Sequence, residues 1–177
     1  MLGVTSRDPV LSMIAPIGLA AAVGTALIVD LGVSTPGPGG RRSLRDIALD
    51  GPELAELSPG RSGIALIGAG GLTGSEAVGV IEAIAARWPA VVVGSADSLD
   101  SIPVVPVSPI FPGLRPGLPV SSVAVWQPIR GCGEAPGPGP VLPLLRPGLV
   151  RQLLAGRLPR MSRWVTAWRQ VWEMPWA

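Results

Sequence analysis

Apolar and polar positions alternate along the first hundred residues in a way that predicts two strand–helix–strand units. Apolar runs of strand length lie at 2–6, 25–32, 64–68 and 90–94. Between the first two runs, Asp8 is placed to cap a helix over about 10–23, with Pro9 at its first position and Gly24 after its end. Strands that are apolar throughout are typical of parallel sheets. The pattern therefore predicts an α/β fold, with a small, mostly parallel sheet and helices on its faces.

The uncharged stretch 9–29 has a second interpretation, because twenty-one residues suffice to cross a bilayer. Against a membrane anchor, Pro16 would kink such a helix, and Asp8 and Asp30 place a charge at each end. No basic segment precedes the stretch, as one would in a signal peptide. We favour the helix followed by a strand, because capping and stop signals fall where those elements need them.

The clearest helix of the chain follows a glycine-rich loop. Thr73 and Glu76 form a capping box, and Val78, Ile81 and Ile84 recur on one face behind it. Beyond residue 100 prolines recur too often for a long element, so short or edge strands are expected there. Three segments follow from these changes: an α/β core (1–100), a Pro/Gly-rich segment with short edge strands (101–148) and a C-terminal amphipathic helix (149–177).

Composition excludes several kinds of catalysis. The chain has no histidine and no lysine, and all fourteen of its basic residues are arginine. A Ser-His-Asp relay, a Schiff base and a lysine-bearing phosphate loop are therefore ruled out. The single cysteine, Cys132, cannot form an internal disulfide, and the scattered carboxylates form no metal motif. We expect no enzymatic activity, no catalytic residue, no bound metal and, because arginines do not alternate with aromatics in the body of the chain, no nucleic-acid binding.

The glycine-rich loop is the candidate site for a dinucleotide. It follows a predicted strand and opens a helix, as a pyrophosphate-binding turn does. Its glycines are Gly68, Gly70, Gly71 and Gly74. The following strand lacks the acid that would hold a ribose hydroxyl about twenty residues on, since the first carboxylate after that strand is Asp97. We favour a simple turn between a strand and a helix, with nucleotide or dinucleotide binding as the alternative.

The order of segments, with "LIVDLG" and "AVVVG" as two of its strands, resembles the MinD/ParA-type P-loop ATPases over residues 2–97. The likeness is greatest to the CpaE-like branch, which is associated with septum placement and Flp pilus assembly. The resemblance implies a P-loop NTPase or Rossmann-like fold with its phosphate loop at 6–12. The residues that it places at a nucleotide are Ser6, Arg7, Asp8, Ser12 and Asp30.

The chain departs from this family at the positions that bind phosphate and metal in the family. Residues 6–12 contain neither glycine nor lysine, and Gly94 stands where the family has its magnesium-binding aspartate. The groups that stabilise charge in phosphoryl transfer are thus missing. The resemblance then implies a non-hydrolysing scaffold or regulator without a cofactor, any residual nucleotide binding being confined to 6–12.

Tryptophans recur every fourth residue in the C-terminal tail, at 164, 168, 172 and 176. On a helix they form one apolar face, and arginines precede them, so the stretch is basic and amphipathic. Such a helix packs on its own sheet, docks in a partner's groove or lies on an anionic membrane. The residues predicted to contact a partner or membrane are Arg160, Arg163, Trp164, Trp168, Val171 and Trp172. The expected partner is another protein or a second copy, in the cytoplasm or at the inner face of the membrane.

Overall fold

The computed structural model describes residues 1–32, 42–57, 63–99, 101–111, 122–129, 134–157 and 162–176. Its strands are β1 Leu2–Thr5, β2 Ala26–Asp30, β3 Ile64–Gly68, β4 Val91–Gly94, β5 Val104–Ile110 and β6 Val125–Pro128. Its helices are α1 Pro9–Val23, α2 Leu44–Asp50, α3 Leu54–Leu57, α4 Gly74–Ala85, α5 Pro147–Leu154, α6 Arg163–Ala167 and α7 Arg169–Trp172, with a 3₁₀ turn at Ala96–Ser98. The strands form one sheet in the order β3-β2-β4-β1-β5-β6, and every strand pair is parallel. The predicted α/β fold with a parallel sheet is confirmed.

The first helix forms where its capping signals predict. The Asp8 side chain accepts hydrogen bonds at the start of α1, Pro9 is its first residue, and Gly24 ends it at a φ of +84°. The helix continues through Pro16. The uncharged stretch 9–29 is therefore divided between α1 and β2. Among the described residues, no helix is both long enough and apolar enough to span a bilayer.

The proline-rich segment contributes more to the sheet than expected. The expectation of edge strands is wrong for β5, which pairs with β1 on one side and β6 on the other, although it contains Pro106 and Pro109. Val105 and Val107 of β5 are buried in the core, as is usual for an interior strand. Of the two strands in this segment, only β6 lies at an edge of the sheet. Residues 138–142 cover its outer side through backbone hydrogen bonds to Ala124 and Trp126. This cover satisfies an edge that would otherwise be open.

Alternate residues of the central strands separate two hydrophobic cores. In β2, Ile28 belongs to one core and Leu27 and Val29 belong to the other; in β4, Val92 and Val93 divide in the same way. The first core is covered by α1, α5, α6 and α7, which we call the α1 layer. The second is covered by α2, α3, α4 and the 3₁₀ turn, which we call the α4 layer. The sheet thus lies between two helical layers.

The prediction of one amphipathic helix over 149–177 is wrong, because this range contains most of α5 and the two short helices α6 and α7. At the junction, the Trp168 N–H donates to the Val165 carbonyl, and the Val171 N–H donates to the Trp168 carbonyl. These bonds span three residues, so the chain tightens to a 3₁₀-like turn between α6 and α7. Both helices pack on α1.

Candidate functional site

The carboxyl edge of the sheet is where a ligand is expected in an open α/β fold. The chain leaves β1 through α1 towards β2 on one side, whereas β5 leads to β6 on the other side. In such sheets ligands bind outside the carboxyl ends of the strands, at the point where the connections diverge. The candidate residues that the sequence places at 6–12 and at Asp30 follow β1 and end β2, so the structure brings them to this edge.

The start of α1 is filled by the chain's own carboxylate. Asp8 Oδ1 accepts hydrogen bonds from the Val10 N–H at 2.9 Å and the Leu11 N–H at 2.8 Å. The Asp8 carbonyl accepts from the Ser12 N–H at 2.9 Å, and Pro9 has no N–H to donate. A helix N-terminus attracts anions through these same donors. The donors of this first turn are already bonded to Asp8.

The remaining residues predicted at the phosphate loop are bonded locally as well. Ser6 Oγ accepts from the Asp8 N–H at 3.2 Å, and Ser12 Oγ donates to the Pro9 carbonyl at 2.9 Å. Arg7 is exposed. Ser6, Asp8 and Ser12 thus gather at one helix start, where their side chains bond to nearby backbone groups and hold the turn.

Replacing Asp8 with alanine is expected to lower the free energy of unfolding by about 0.5–2 kcal/mol, because α1 would lose its cap. Urea unfolding followed by circular dichroism measures the change. Asp8→Asn is the matched control, since asparagine caps as well as aspartate does and should leave stability nearly unchanged. Equal losses in both variants would contradict the capping role.

Asp30 lies beside two glycines at the end of β2. Its Cα is opposite Gly68 of β3 and Gly94 of β4, and its Oδ1 accepts from the Gly32 N–H at 2.9 Å. The Asp30 carbonyl also accepts from the Ala69 N–H at 2.9 Å, so this residue joins the end of β2 to the glycine-rich loop. The two sites that the sequence offered as alternatives are therefore neighbours at one edge.

Gly94 is held close to α1. A Cβ built on Gly94 would lie 3.2 Å from Cγ of Pro16, which is tighter than an ordinary van der Waals contact. The missing side chain at this position lets α1 pack on β4. A larger residue here, such as the aspartate of the ATPases that the sequence resembles, would require Pro16 to move.

Sequence reasoning missed a polar pair at this edge. The Thr5 hydroxyl, at the end of β1, donates to the Asp97 carboxylate in the 3₁₀ turn after β4. Ser95, two residues before Asp97, has a φ of +57°, a left-handed conformation that is uncommon outside glycine. The signal was a hydroxyl at the end of one apolar strand and a carboxylate three residues after another. It becomes visible only when β1 and β4 are known to be neighbours.

The glycine-rich loop is shaped by contact with α2. Gly70 and Gly71 have φ angles of +67° and +86°, and a Cβ on Gly70 would overlap Ser43 Oγ. Gly68 ends β3, and Gly74 begins α4. These positions fit the interpretation of the loop as a turn between a strand and a helix.

Two carboxylates occupy the helix starts on either side of this loop. Asp46 accepts from the Ser43 N–H at 2.8 Å, and Glu76 accepts from the Thr73 N–H at 2.9 Å. These backbone hydrogen bonds, with those from the Ser43 and Thr73 hydroxyls, hold the pKa of each carboxyl below its ordinary value. The capping box predicted for α4 is confirmed, and α2 begins with an equivalent one.

The free energy of unfolding is expected to decrease as the pH falls below about 4.5, through the range in which Asp46 and Glu76 become protonated. A carboxyl whose pKa is lower in the folded state stabilises that state above its ordinary pKa, and the contribution is lost as the pH falls through the folded-state value. Urea unfolding across the acid range measures it. The double variant Asp46→Asn, Glu76→Gln should show a flatter pH dependence; an unchanged slope would contradict the assignment.

Comparison with known proteins adds nothing to these observations. No protein-family model, curated protein or solved structure matches the chain. Among the described residues, no group of three or more histidine, cysteine or acidic side chains is arranged to hold a metal ion. The resemblance to the MinD/ParA-type ATPases therefore stays a prediction that rests on the residues themselves.

Two of the tail tryptophans are buried in the protein, and the other two, Trp172 and Trp176, are partly buried against the same core. Trp164, Trp168 and Val171 are almost fully buried against α1, and Trp164 Nε1 donates to Gln127 Oε1 at 2.6 Å. Trp172 Nε1 donates to the Leu19 carbonyl at 2.9 Å. These contacts favour packing on the chain's own core over docking by this apolar face. Of the predicted arginines, Arg163 is exposed and Arg160 lies outside the described residues.

Proposed function

We propose that this protein is a non-hydrolysing relative of the MinD/ParA-type P-loop ATPases that acts as a scaffold or regulator through protein contacts. The observation that carries the proposal is the carboxylate of Asp8 at the start of α1. In an ATPase of this type a phosphate would occupy that place after the first strand. Here the anion belongs to the chain and the donors are engaged, which supports a protein that has kept the architecture without the ligand.

Two further features support the loss of hydrolysis. The chain has no lysine to reach the outer phosphates of a nucleotide. At the end of β4, Gly94 packs against Pro16, in the place where the family's metal-binding aspartate would stand. Phosphoryl transfer depends on a positioned positive charge and a metal ion. The lysine that usually supplies the charge is absent, and Gly94 stands in place of the aspartate that usually binds the metal.

Titration calorimetry with ATP and Mg²⁺, and separately with NAD⁺, tests the proposal on the purified protein. We expect no saturable binding of either ligand in the micromolar range. Saturable micromolar binding of ATP would contradict a ligand-free scaffold. The same result with NAD⁺ would favour the alternative function at the glycine-rich loop.

A variant of Asp8 tests whether its carboxylate is the group that keeps a phosphate from the start of α1. Asp8→Gly removes the carboxylate and leaves the Val10 and Leu11 N–H groups without their present acceptor, while glycine still tolerates the capping position. ATP binding gained only by Asp8→Gly would show that Asp8 excludes phosphate. A gene for a pilus-secretion ATPase beside this one would independently support the lineage.

A further inference from the structure

The two helical layers carry opposite charge. The described residues 42–57 and 63–99 build the α4 layer together with β3 and β4. They contain seven carboxylates and three arginines, which gives a formal charge of −4. The carboxylates are Asp46, Asp50, Glu53, Glu56, Glu76, Glu82 and Asp97. Arg42 lies within 4 Å of three of them, at Asp50, Glu53 and Glu56, so much of the positive charge of this layer is already engaged.

The α1 layer is basic. Helix α1 has no charged residue, and the described residues 146–157 and 162–176 contain five arginines and one carboxylate, Glu173, a formal charge of +4. The five are Arg146, Arg151, Arg157, Arg163 and Arg169, and all are exposed. Because the layers lie on opposite faces of the sheet, the described residues carry a charge dipole across the sheet.

Each layer also exposes large apolar side chains among its charges. On the α4 layer, Leu49 is 76% exposed and Leu54 is 84% exposed, close in sequence to Asp50 and Glu53. On the α1 layer, the exposed apolar side chains are Val10, Met13, Val23 and Leu154. An apolar contact rimmed by charge is the usual composition of a protein interface. The two surfaces match in kind and are opposite in sign.

We infer that the protein self-associates head to tail, with the α4 layer of one copy docked on the α1 layer of the next. A second copy accounts for both surfaces at once. An anionic membrane or nucleic acid would engage only the arginines and would leave Leu49 and Leu54 in water. The inference deepens the proposed scaffold function by naming the partner as the protein itself.

The geometry fixes the form of the assembly. The two complementary surfaces lie on opposite faces of one sheet, so a pair of copies joined in this way leaves one surface of each kind open. Such a heterologous contact grows as a chain of copies and does not close into a dimer. Its average mass rises with protein concentration. It weakens with salt, because the screening length falls from about 10 Å at 0.1 M to about 3 Å at 1 M.

Sedimentation of charge-reversed variants tests this arrangement. The first variant, Arg146→Glu with Arg151→Glu and Arg163→Glu, changes the formal charge of the α1 layer from +4 to −2. The second, Asp50→Arg with Glu53→Arg and Glu82→Arg, changes that of the α4 layer from −4 to +2. All six reversed residues are exposed. Asp50 and Glu53 also pair with Arg42, but exposed ion pairs contribute little to stability, so the fold should be kept, and unfolding curves verify it. Arg87→Glu is the matched control, because it makes the same change on the α4 layer and adds charge of the sign already present there.

We expect the wild type and the control to increase in average mass with concentration at low salt, and to sediment as monomers at high salt. Each reversed variant alone should associate at least about tenfold more weakly, since like charges then face each other. An equimolar mixture of the two reversed variants should associate again, because one then has two acidic surfaces and the other two basic ones. Restored association in the mixture is the result that a mere loss of folding could not produce.

Three results would overturn the inference: a wild type that stays monomeric at low salt, association that the reversals do not weaken, and a mixture that stays monomeric. A monomer that binds vesicles containing phosphatidylglycerol would assign the basic layer to membranes. Nucleotide binding by calorimetry would contradict the proposed function without changing the sedimentation result, so the two failures are distinguishable.

Discussion

Replacing Trp168 with alanine is expected to lower the free energy of unfolding by about 3–5 kcal/mol, the range for truncating a large buried aromatic side chain. The side chain is 0% exposed, and its ring meets that of Trp164 edge to face with centroids 5.5 Å apart. Truncation would leave a cavity between α1 and α6 that rigid neighbours cannot close. Urea unfolding monitored by circular dichroism measures the loss; a change below about 1 kcal/mol would contradict core packing.

Phenylalanine substitutions separate packing from hydrogen bonding. Trp164 Nε1 donates to Gln127, whose side chain is 0% exposed, whereas Trp168 Nε1 has no hydrogen-bond partner among the described contacts. Trp164→Phe leaves a buried amide oxygen without this donor, at a cost of about 1–3 kcal/mol that Trp168→Phe does not incur. Equal losses from the two substitutions would contradict a role for the Gln127 bond.

Replacing Gly18 with alanine is the second large expected effect. A Cβ at this position would lie 2.5 Å from Cζ3 of Trp164 and 2.5 Å from Nε1 of Trp168. Both rings are buried, so the helices must separate, and we expect a loss of about 1–3 kcal/mol despite alanine's higher helix propensity. The same unfolding measurement gives the value.

Gly79 supplies the matched control for that substitution. It lies inside α4, and a Cβ built on it meets nothing within 4 Å. Gly79→Ala should therefore raise stability by up to about 1 kcal/mol, through helix propensity alone. Opposite signs for the two glycine-to-alanine changes are the expected result. A stabilising effect at both positions would show that the tryptophans yield easily.

The elements that the sequence predicted well are those with local signals. Asp8, Pro9 and Gly24 delimit α1, and Thr73 with Glu76 begins α4, because capping bonds join residues at most three apart. The uninterrupted apolar strands likewise predict a parallel sheet. Propensity was a poor guide to β5, since its interior place depends on β1 and β6, which are remote in sequence.

The candidate site was predictable only in part for the same reason. The cap at Asp8 follows from sequence, but its position at the edge beside Asp30 and Gly94 requires the strand order. The bond between Thr5 and Asp97 joins residues 92 apart, so no local pattern announces it. Likewise, the spacing of the tryptophans predicts an apolar face, whereas the surface that it covers depends on Gly18 and Gln127.

The docking of α7 on α1 has a consequence for synthesis of the protein. The hydrogen bond from Trp172 to the Leu19 carbonyl joins residues 153 positions apart. At ribosomal rates of about 5–20 residues per second, α7 is synthesised roughly 8–30 s after α1. For that time the apolar face of α1 lacks the helix that packs on it. Contacts of such long range also slow folding. During that interval the nascent chain exposes Leu19 and its neighbours, which makes it a substrate for chaperones that bind apolar segments.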